Sequence, residues 1–310
     1  VGIGNSYPAT CFPTAVTTAC SWDKELLYKM GETLGEECIQ EEVAVLLGPG
    51  TNMKRSPLCG RNFEYFSEDP CLAGELAASF IDGVQSKGIG TALKHFAANS
   101  QETDRMTGNS IVDERALREI YLRAFEIAVK KAQPTMVMNA YNKLNGVYCS
   151  ENQYLQNDIL RDEWGFEGAV VSDWGAVNDR GEGIKAGLDL EMPGSKGLND
   201  KSIYKALENG TITEEDLDRV VLRLIKFAYE NTVREVKGVT YDIEEHNAIA
   251  RRAAEGGAVL LKNDGALPLD KQQSIAVIGK LAKKLRYQGG GSSHILPHKV
   301  TTFLDALDNA

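Results

Sequence analysis

The sequence predicts an α/β protein whose main part is a TIM-like (β/α) barrel. Short apolar runs of strand type alternate with stretches of helical period along most of the chain, which is typical of a parallel sheet covered by helices. The length of 310 residues leaves room for a barrel of about 250 residues and part of a second unit. No GxGxxG or GxxxxGK[ST] stretch joins a predicted strand to a helix, so a nucleotide-binding fold is not indicated. A flavodoxin-like sheet is the structural alternative.

The predicted strands are short and apolar, as expected for strands that are covered on both faces. In chain order they are 43–47, 91–96, 135–138, 168–171 and 187–191. Helix signals separate them. Asp69 and Pro70 form an N-cap and a first helical position, Asp113 caps the next helix, and Thr213 with Asp216 resembles a capping box. The order of elements is therefore β, α, β, α throughout.

A second, smaller unit is predicted towards the C-terminal end. We place the barrel, with its N-terminal part truncated, at 1–232, a charged linker at 233–246 and the start of an α/β sandwich domain at 247–310. The predicted elements of this domain are a helix over 247–257 and strands over 258–262 and 274–279. The stretch GGGSSH (289–294) does not join a strand directly to a helix, so we predict a flexible loop there.

The composition is that of a folded globular protein with an acidic surface. Apolar residues make up 43% and charged residues 25% of the chain, and the net charge is −10. Nucleic acid would be repelled, and the apolar runs are too short to span a bilayer, so we expect neither as a partner and leave a homo-oligomer open. The six cysteines show no CxxC and no short Cys/His spacing, which favours free thiols in the cytoplasm over a metal or redox site. No metal or organic cofactor is indicated.

Polar residues follow the ends of several predicted strands. In (β/α) barrels the reacting groups lie at the carboxyl ends of the strands. The candidates selected by this rule are Lys94, His95, Asn139, Tyr141, Asn142, Asp173 and Glu191. Asp173 is conspicuous because it follows an apolar run, although a helix N-cap is an alternative reading. His95 could also be a core histidine, and we predict that Asn142 and Glu191 satisfy backbone groups of loops.

Five stretches of the sequence resemble the glycoside hydrolase family 3 β-glucosidases. They are GRNFEYFSEDP (60–70), KHFAANSQETDR (94–105), MNAYNKLNG (138–146), VVSDWGAV (170–177) and GLDLEMPG (187–194). Farther along, RRAAEGGAVLLKNDGALPL and IAVIG resemble the second, α/β sandwich domain of that family. The resemblance extends over essentially the whole chain in the order of the family.

The resemblance implies a retaining β-glucosidase that releases terminal, non-reducing β-D-glucosyl residues from β-glucosides or cello-oligosaccharides. Asp173 would be the nucleophile that forms a covalent glycosyl-enzyme, which water then hydrolyses. Tyr141 would lie beside it and Trp174 would form a wall for the sugar. The residues expected to bind the sugar hydroxyls are Arg61, Lys94, His95 and Arg105. Fixed donors suit hydroxyl groups, and nearby cations help to keep a carboxylate ionised.

The sequence departs from the family pattern at two functional positions. Neither the substrate-binding aspartate of a DGP-like segment nor the glutamate that serves as acid/base has a counterpart in residues 1–310. We therefore expect a fragment, with the acid/base beyond residue 310, that is inactive on natural substrates when isolated.

Other functions remain open at this level. A β-xylosidase or a β-N-acetylglucosaminidase of the same family is the near alternative. The latter group resembles KHFPGHG, whereas Ala97 and Ala98 stand in place of its Pro-Gly here. A Schiff-base aldolase that uses Lys94, or an inactive sugar-binding fragment, would be an alternative of a different class.

Overall fold

The structure is a computed structural model that describes residues 7–232, 238 and 240–309. These residues form two compact units. One is Thr14–Tyr241, and the other contains the described residues of Val1–Pro13 and of Asp242–Ala310. Part of the predicted linker at 233–246 lies outside the described residues, and the domain boundaries proposed from the sequence stay predictions.

The described residues contain short strands and mostly longer helices. The strands are β1 (Pro8–Ala9), β2 (Val45–Leu46), β3 (Gly90–Phe96), β4 (Asn109–Ser110), β5 (Met136–Asn139), β6 (Lys143–Leu144), β7 (Val147–Tyr148), β8 (Ala169–Val171) and β9 (Leu296–Pro297). The α-helices are α1 (Ala15–Ala19), α2 (Lys24–Gln40), α3 (Pro70–Ser86), α4 (Glu114–Ala116), α5 (Arg123–Ala132), α6 (Arg180–Ala186), α7 (Leu198–Glu208), α8 (Glu214–Thr232), α9 (Ile243–Gly256) and α10 (Phe303–Asp308). Two further segments, Leu117–Tyr121 and Tyr154–Glu163, are π-helical.

The central sheet of the larger unit is parallel and its strands follow one another in chain order. The order is β2, β3, β5 and β8, and Leu190 forms a parallel bridge with Val171 beyond β8. A flavodoxin-like sheet would instead place its first strand between the second and the third. The singly wound order is that of a TIM-like (β/α) barrel, so the predicted fold class is confirmed. The segment predicted as a strand over 187–191 makes only the one bridge at Leu190.

Strands β3, β5 and β8 of the sheet are buried along most of their length. One face carries a cluster of Ala92, Met136, Met138, Ala169 and Val171, against which Val45, Leu190, Met192 and Phe227 pack. Because side chains alternate along a strand, Lys94 lies on the same face as Ala92, two residues nearer the carboxyl end of β3. The sheet therefore brings a lysine to the end of an otherwise apolar interior.

The helix signals in the sequence have the expected structural effect. Asp69 accepts a hydrogen bond from the Leu72 N–H at 2.7 Å, with Pro70 as the first residue of α3. Asp113 caps α4 in the same way. Gly83 allows helices α2 and α3 to pack closely, because it has no side chain. A Cβ at this position would lie only 2.1 Å from the carbonyl oxygen of Tyr28. Within the described residues, no helix combines the length and the apolar character that crossing a membrane requires.

A buried carboxylate ties the last strand segment to the helices around the sheet. The Asp189 side chain, which is 0% exposed, accepts hydrogen bonds from Arg161 Nη2 at 2.8 Å, from the Val170 N–H at 2.8 Å and from Arg223 Nη1 at 3.2 Å. Burial lowers the pKa of Arg161 to about 10, so the guanidinium remains charged at neutral pH. The charges of Asp189 and Arg161 stabilise each other, because both side chains are buried and neither charge is solvated by water.

We expect Asp189→Asn to destabilise the larger unit by about 3 kcal/mol, since removing one member of a buried ion pair leaves the other charge uncompensated. The matched control is Glu167→Gln, whose partner Lys226 lies 4.0 Å away with both side chains exposed, and which should change stability by less than about 0.5 kcal/mol. Urea unfolding followed by tryptophan fluorescence measures this, because Trp22, Trp164 and Trp174 all lie in this unit. Equal stability of the two variants would contradict a supporting role for Asp189.

The smaller unit differs from its prediction in the strands. Helix α9 begins at Ile243, earlier than the predicted 247, because Asp242 caps it by accepting from two backbone N–H groups. The predicted strands at 258–262 and 274–279 are wrong. Both segments are irregular, and Leu261 and Ile278 are 92% and 94% exposed. Apolar composition alone does not make a strand, because a strand also needs a neighbour to hydrogen-bond with. The stretch at 289–294 is a loop with one turn of 3₁₀ helix.

Candidate active site

Asp173 lies at the carboxyl end of β8, in the position that the sequence predicts. The residue is 8% exposed, and its Oδ1 accepts a hydrogen bond from its neighbour, the Trp174 N–H, at 2.7 Å. The preceding residue is fixed as well, since Ser172 N–H donates to the Leu190 carbonyl oxygen at 2.9 Å. Oδ1 is therefore held in place, whereas Oδ2 is buried without a hydrogen bond among the described residues. Asp173 is not a helix N-cap, because the helix that follows, α6, is capped by Asp179.

Tyr141 and Arg105 approach this carboxylate from the loops that follow β5 and β3. The Tyr141 hydroxyl lies 3.1 Å from Asp173 Oδ1 and 3.0 Å from the Trp174 carbonyl oxygen. Burial, together with the negative charge of Asp173, raises the pKa of Tyr141 to about 12, so the phenol keeps its proton and donates it. The Arg105 guanidinium stacks over the Tyr141 ring at 4.3 Å, and its Nη1 donates to Glu102 Oε2 at 2.8 Å.

His95, Lys94 and Arg61 form the other side of the site. His95 is 1% exposed, and its Nε2 lies 3.5 Å from Asp173 Oδ2 and 2.9 Å from Arg61 Nη2. Arg61 Nη2 also donates to Glu64 Oε1 at 2.6 Å. Burial lowers the pKa of Lys94, an effect that the negative charge of Glu64 opposes. Burial and the positive charges of Lys94 and Arg61 hold the pKa of His95 well below its ordinary value, so the ring is neutral.

The structure thus brings the candidate residues together around one carboxylate. Direct contacts link Asp173 to Tyr141 and His95, and through them to Arg105 and Arg61. Trp174, which directly follows Asp173, is 43% exposed. The catalytic and binding roles of these seven residues stay predictions.

Two strand-end candidates have other roles. Asn142 Nδ2 donates to the Ala97 carbonyl oxygen at 3.2 Å, so it holds a loop as the sequence suggests. Glu191 accepts from the side chain of Asn199 and not from a loop backbone, so that part of the prediction is wrong.

Several residues in contact with the site are not among the site residues predicted from the sequence. Glu64 and Glu102 each pair with an arginine three residues away, and this opposite-charge spacing was a usable signal. Asn52 and Tyr65 contact His95 across 43 and 30 residues of sequence, respectively. No local pattern reveals such contacts, because they depend on how distant segments of the chain meet the end of β3.

Among the described residues, neither a metal site nor the cavity at the amino ends of the strands adds a second candidate. Among the described residues, no group of three or more histidine, cysteine, aspartate or glutamate side chains is arranged to hold a metal ion. A cavity of about 410 Å³ lies at the opposite ends of the strands, where Gly90, Thr135 and Gly168 line it. The amino ends of barrel strands serve stability, and the carboxyl ends carry the chemistry. The cluster around Asp173 is therefore the candidate active site.

Family descriptions match most of the sequence. The glycosyl hydrolase family 3 N terminal domain matches residues 1–227, and the glycosyl hydrolase family 3 C-terminal domain matches residues 258–310. The thermostable beta-glucosidase B of Acetivibrio thermocellus is 58% identical over 309 residues, which are 99% of this chain and 41% of that protein. An exo-alpha-(1->6)-L-arabinopyranosidase of Bifidobacterium longum is 52% identical over 98% of this chain and 42% of its own length.

Solved structures agree with these matches. The GH3 beta-glucosidase of Bifidobacterium adolescentis has a TM-score of 0.94 and 51% identity over 98% of this chain and 45% of that chain. Beta-glucosidase 3B of Thermotoga neapolitana, in complex with alpha-D-glucose, has a TM-score of 0.94 and 45% identity over 99% of this chain and 44% of that chain. The present chain therefore spans about two fifths of the length of its curated relatives.

Proposed function

Because this chain belongs to glycoside hydrolase family 3, we propose that the protein is a retaining β-glucosidase that removes terminal β-D-glucosyl residues from oligosaccharides. The observation that carries the proposal is the state of Asp173. Its Oδ1 is held by the Trp174 N–H and lies within hydrogen-bond distance of the Tyr141 hydroxyl, while Oδ2 has no hydrogen bond among the described residues. A nucleophile in a retaining mechanism needs this combination of a fixed orientation and a free lone pair.

The proposed reaction has two steps. Asp173 Oδ2 attacks the anomeric carbon, the bond to the leaving-group oxygen breaks, and a glycosyl-enzyme ester forms; water then attacks the same carbon and releases glucose and the carboxylate. Lys94, Arg61 and Arg105 supply charged donors for the sugar hydroxyls.

The Tyr141 hydroxyl has a second role in this proposal. While Asp173 is a free carboxylate, the Tyr141 proton stabilises the charge on Oδ1. Charge develops on the ester carbonyl oxygen again when the glycosyl-enzyme is cleaved, and a donor that is already in position stabilises it without reorganisation. Trp174, half exposed at the edge of the site, would cover one face of the bound sugar through its ring.

An α-L-arabinopyranosidase is the second candidate, because a relative with that activity in its name is 52% identical to this chain. The Schiff-base alternative at Lys94 receives no support from the relatives, and it leaves the contacts of Asp173 without a purpose. A β-xylosidase and a module that binds sugar without turnover remain outcomes of the experiment below.

We expect the chain to form a glycosyl-enzyme faster with 2,4-dinitrophenyl β-D-glucopyranoside than with the corresponding α-L-arabinopyranoside or β-D-xylopyranoside. A dinitrophenolate leaves without a proton, so the burst of dinitrophenol measures the first step alone. Glu167→Gln, far from the site, is the control and should give the same burst. A burst only with the arabinopyranoside would replace the β-glucosidase proposal by the second candidate, and binding of glucose without any burst would reduce the protein to a sugar-binding module.

We also propose a cytoplasmic location. The six cysteines of the chain are all free thiols, and the cytoplasm is the compartment that keeps thiols reduced. The homo-oligomer allowed for from the sequence stays a prediction.

A further inference from the structure

The sequence contains two Asn-Gly pairs, Asn145-Gly146 and Asn209-Gly210, and both asparagines are exposed. Such a pair is especially open to deamidation, because the backbone nitrogen of the glycine can attack Cγ of the asparagine and glycine has no Cβ to hinder the approach. The attack requires that the side-chain amide turns towards the following nitrogen and that this nitrogen gives up its hydrogen bond and its proton. The local structure therefore decides which of the two pairs reacts.

The hairpin of β6 and β7 fixes the reacting groups of the first pair. Asn145 Nδ2 donates to the Val112 carbonyl oxygen and Asn145 Oδ1 accepts from the Val112 N–H, both at 2.9 Å. The nucleophile is held as well, because the Gly146 N–H donates to Asn109 Oδ1 at 2.9 Å. Asn145 and Gly146 have φ of 50° and 95°, the left-handed conformations of a tight hairpin turn. The amide plane of Asn145 cannot turn towards Gly146 without breaking its bonds to Val112.

The second pair lies in the exposed turn between α7 and α8. Asn209 Oδ1 accepts from the Thr211 N–H at 2.9 Å, and Nδ2 makes no hydrogen bond with the described residues. The Gly210 N–H donates to the Leu207 carbonyl oxygen at 3.2 Å, in a turn that is open to water. The Thr211 N–H does not oppose the attack, because it points at the oxygen on which negative charge develops when Cγ is attacked. The amide of Asn209 is therefore less restrained than that of Asn145, and it is polarised for attack.

We propose that Asn209 is a site of spontaneous deamidation in this protein and that the β6–β7 hairpin protects Asn145. The Gly210 nitrogen loses its proton to the solvent and forms a bond to Cγ of Asn209; the Cγ–Nδ2 bond then breaks and ammonia leaves, which closes a succinimide ring. Water opens the ring at Cγ to give aspartate, or at the main-chain carbonyl carbon to give isoaspartate. Water is the only co-reactant, and the inference is independent of the proposed function.

The products should weaken the packing between α7 and α8. Ile212, in the same turn, is 2% exposed and packs in a cluster with Ile184, Ala206 and Val220. Isoaspartate lengthens the main chain between α7 and Ile212 by a CH₂ group, which displaces Ile212 from this cluster. Either product also adds a negative charge at the carboxyl end of α7, where the helix dipole disfavours it. Deamidation should therefore lower the thermal stability of the larger unit.

The test is a time course of peptide mapping by mass spectrometry on the folded 310-residue chain, kept at mildly alkaline pH in H₂¹⁸O so that ¹⁸O marks each new deamidation. We expect ¹⁸O at residue 209 first, mostly as isoaspartate. The rate at Asn145 should be lower by roughly tenfold or more, because its hydrogen bonds must open first. In urea, where the hairpin is absent, the two rates should become similar. An equal or faster rate at Asn145 in the folded chain, or no reaction at Asn209 while the unfolded chain reacts there, would overturn the proposal.

Two variants test the protection and the consequence separately. Asn109→Ala removes the acceptor of the Gly146 N–H and should speed deamidation at Asn145 while leaving Asn209 unchanged. Asn209→Ser keeps a side-chain acceptor for the Thr211 N–H but has no amide, so it should retain its unfolding temperature through an incubation that lowers that of the wild type. An unchanged rate at Asn145 in Asn109→Ala would contradict protection by the hairpin. An equal loss of stability in Asn209→Ser would contradict the effect on the packing of α7 and α8.

Discussion

Asp173→Asn should abolish the burst of dinitrophenol from dinitrophenyl β-D-glucopyranoside, with a loss in the glycosylation rate on the order of 10⁴-fold or more. An amide oxygen is a very weak nucleophile, yet it still accepts hydrogen bonds. Asn at position 173 retains the bond from the Trp174 N–H and an acceptor for the Tyr141 hydroxyl, so the fold of the site is expected to persist.

The matched control for this variant is Asp179→Asn, in the same loop region after β8. Asp179 caps α6 by accepting from the Glu182 N–H at 3.1 Å, and asparagine is an equally good N-cap. It should leave the burst unchanged. Stopped-flow absorbance measures both variants, and unfolding midpoints close to that of the wild type exclude a folding defect. A normal burst from Asp173→Asn would remove Asp173 from the mechanism.

The second large effect concerns the leaving group. The resemblance assigns no acid/base to residues 1–310, so the chain should react with dinitrophenyl glucoside and stall as the glycosyl-enzyme, and it should not hydrolyse cellobiose. General acid and base assistance each contribute roughly 10²-fold to 10⁴-fold, and cellobiose needs the acid because its leaving group is an alcohol. Azide attacks without a base, and it should therefore speed turnover and yield β-glucosyl azide.

The comparison of the two substrates is the measurement, with product identified by NMR. Hydrolysis of cellobiose by the 310-residue chain at an ordinary rate, without acceleration by azide, would show that the acid/base lies within the chain. Glu102 and Glu191 would be the first candidates, and Glu102→Gln and Glu191→Gln would then distinguish them.

The sequence predicts the site better than it predicts the second unit, and the reason is physical. In a (β/α) barrel, residues at strand ends converge whatever their separation in sequence, so a local pattern such as GAVVSDW is enough to place Asp173 near Lys94 and His95. Short apolar runs at 258–262 and 274–279 look the same as barrel strands, but a strand forms only against a neighbour, and these segments are exposed and irregular.

Contacts between segments that are distant in sequence could not be predicted, for a related reason. Tyr65 directly follows the turn Asn62–Glu64 and contacts His95 in β3 across 30 residues of sequence, and no periodicity encodes that contact. The ion pairs Arg61–Glu64 and Glu102–Arg105 could have been predicted from the sequence, since residues three apart with opposite charges often contact each other. Their effect on the site depends, however, on which loop they lie in.

The identity of the nucleophile is tested most directly by mass spectrometry after reaction with 2,4-dinitrophenyl 2-deoxy-2-fluoro-β-D-glucopyranoside. The fluorine slows both steps and the activated leaving group restores the first, so the glycosyl-enzyme accumulates whether or not an acid/base is present. A peptide map should place one fluoroglucosyl group on Asp173 in the wild-type chain and in Asp179→Asn, and none on the chain with Asp173→Asn. A label on another carboxylate, with Asp173 unmodified, would contradict the assignment of Asp173 as the nucleophile.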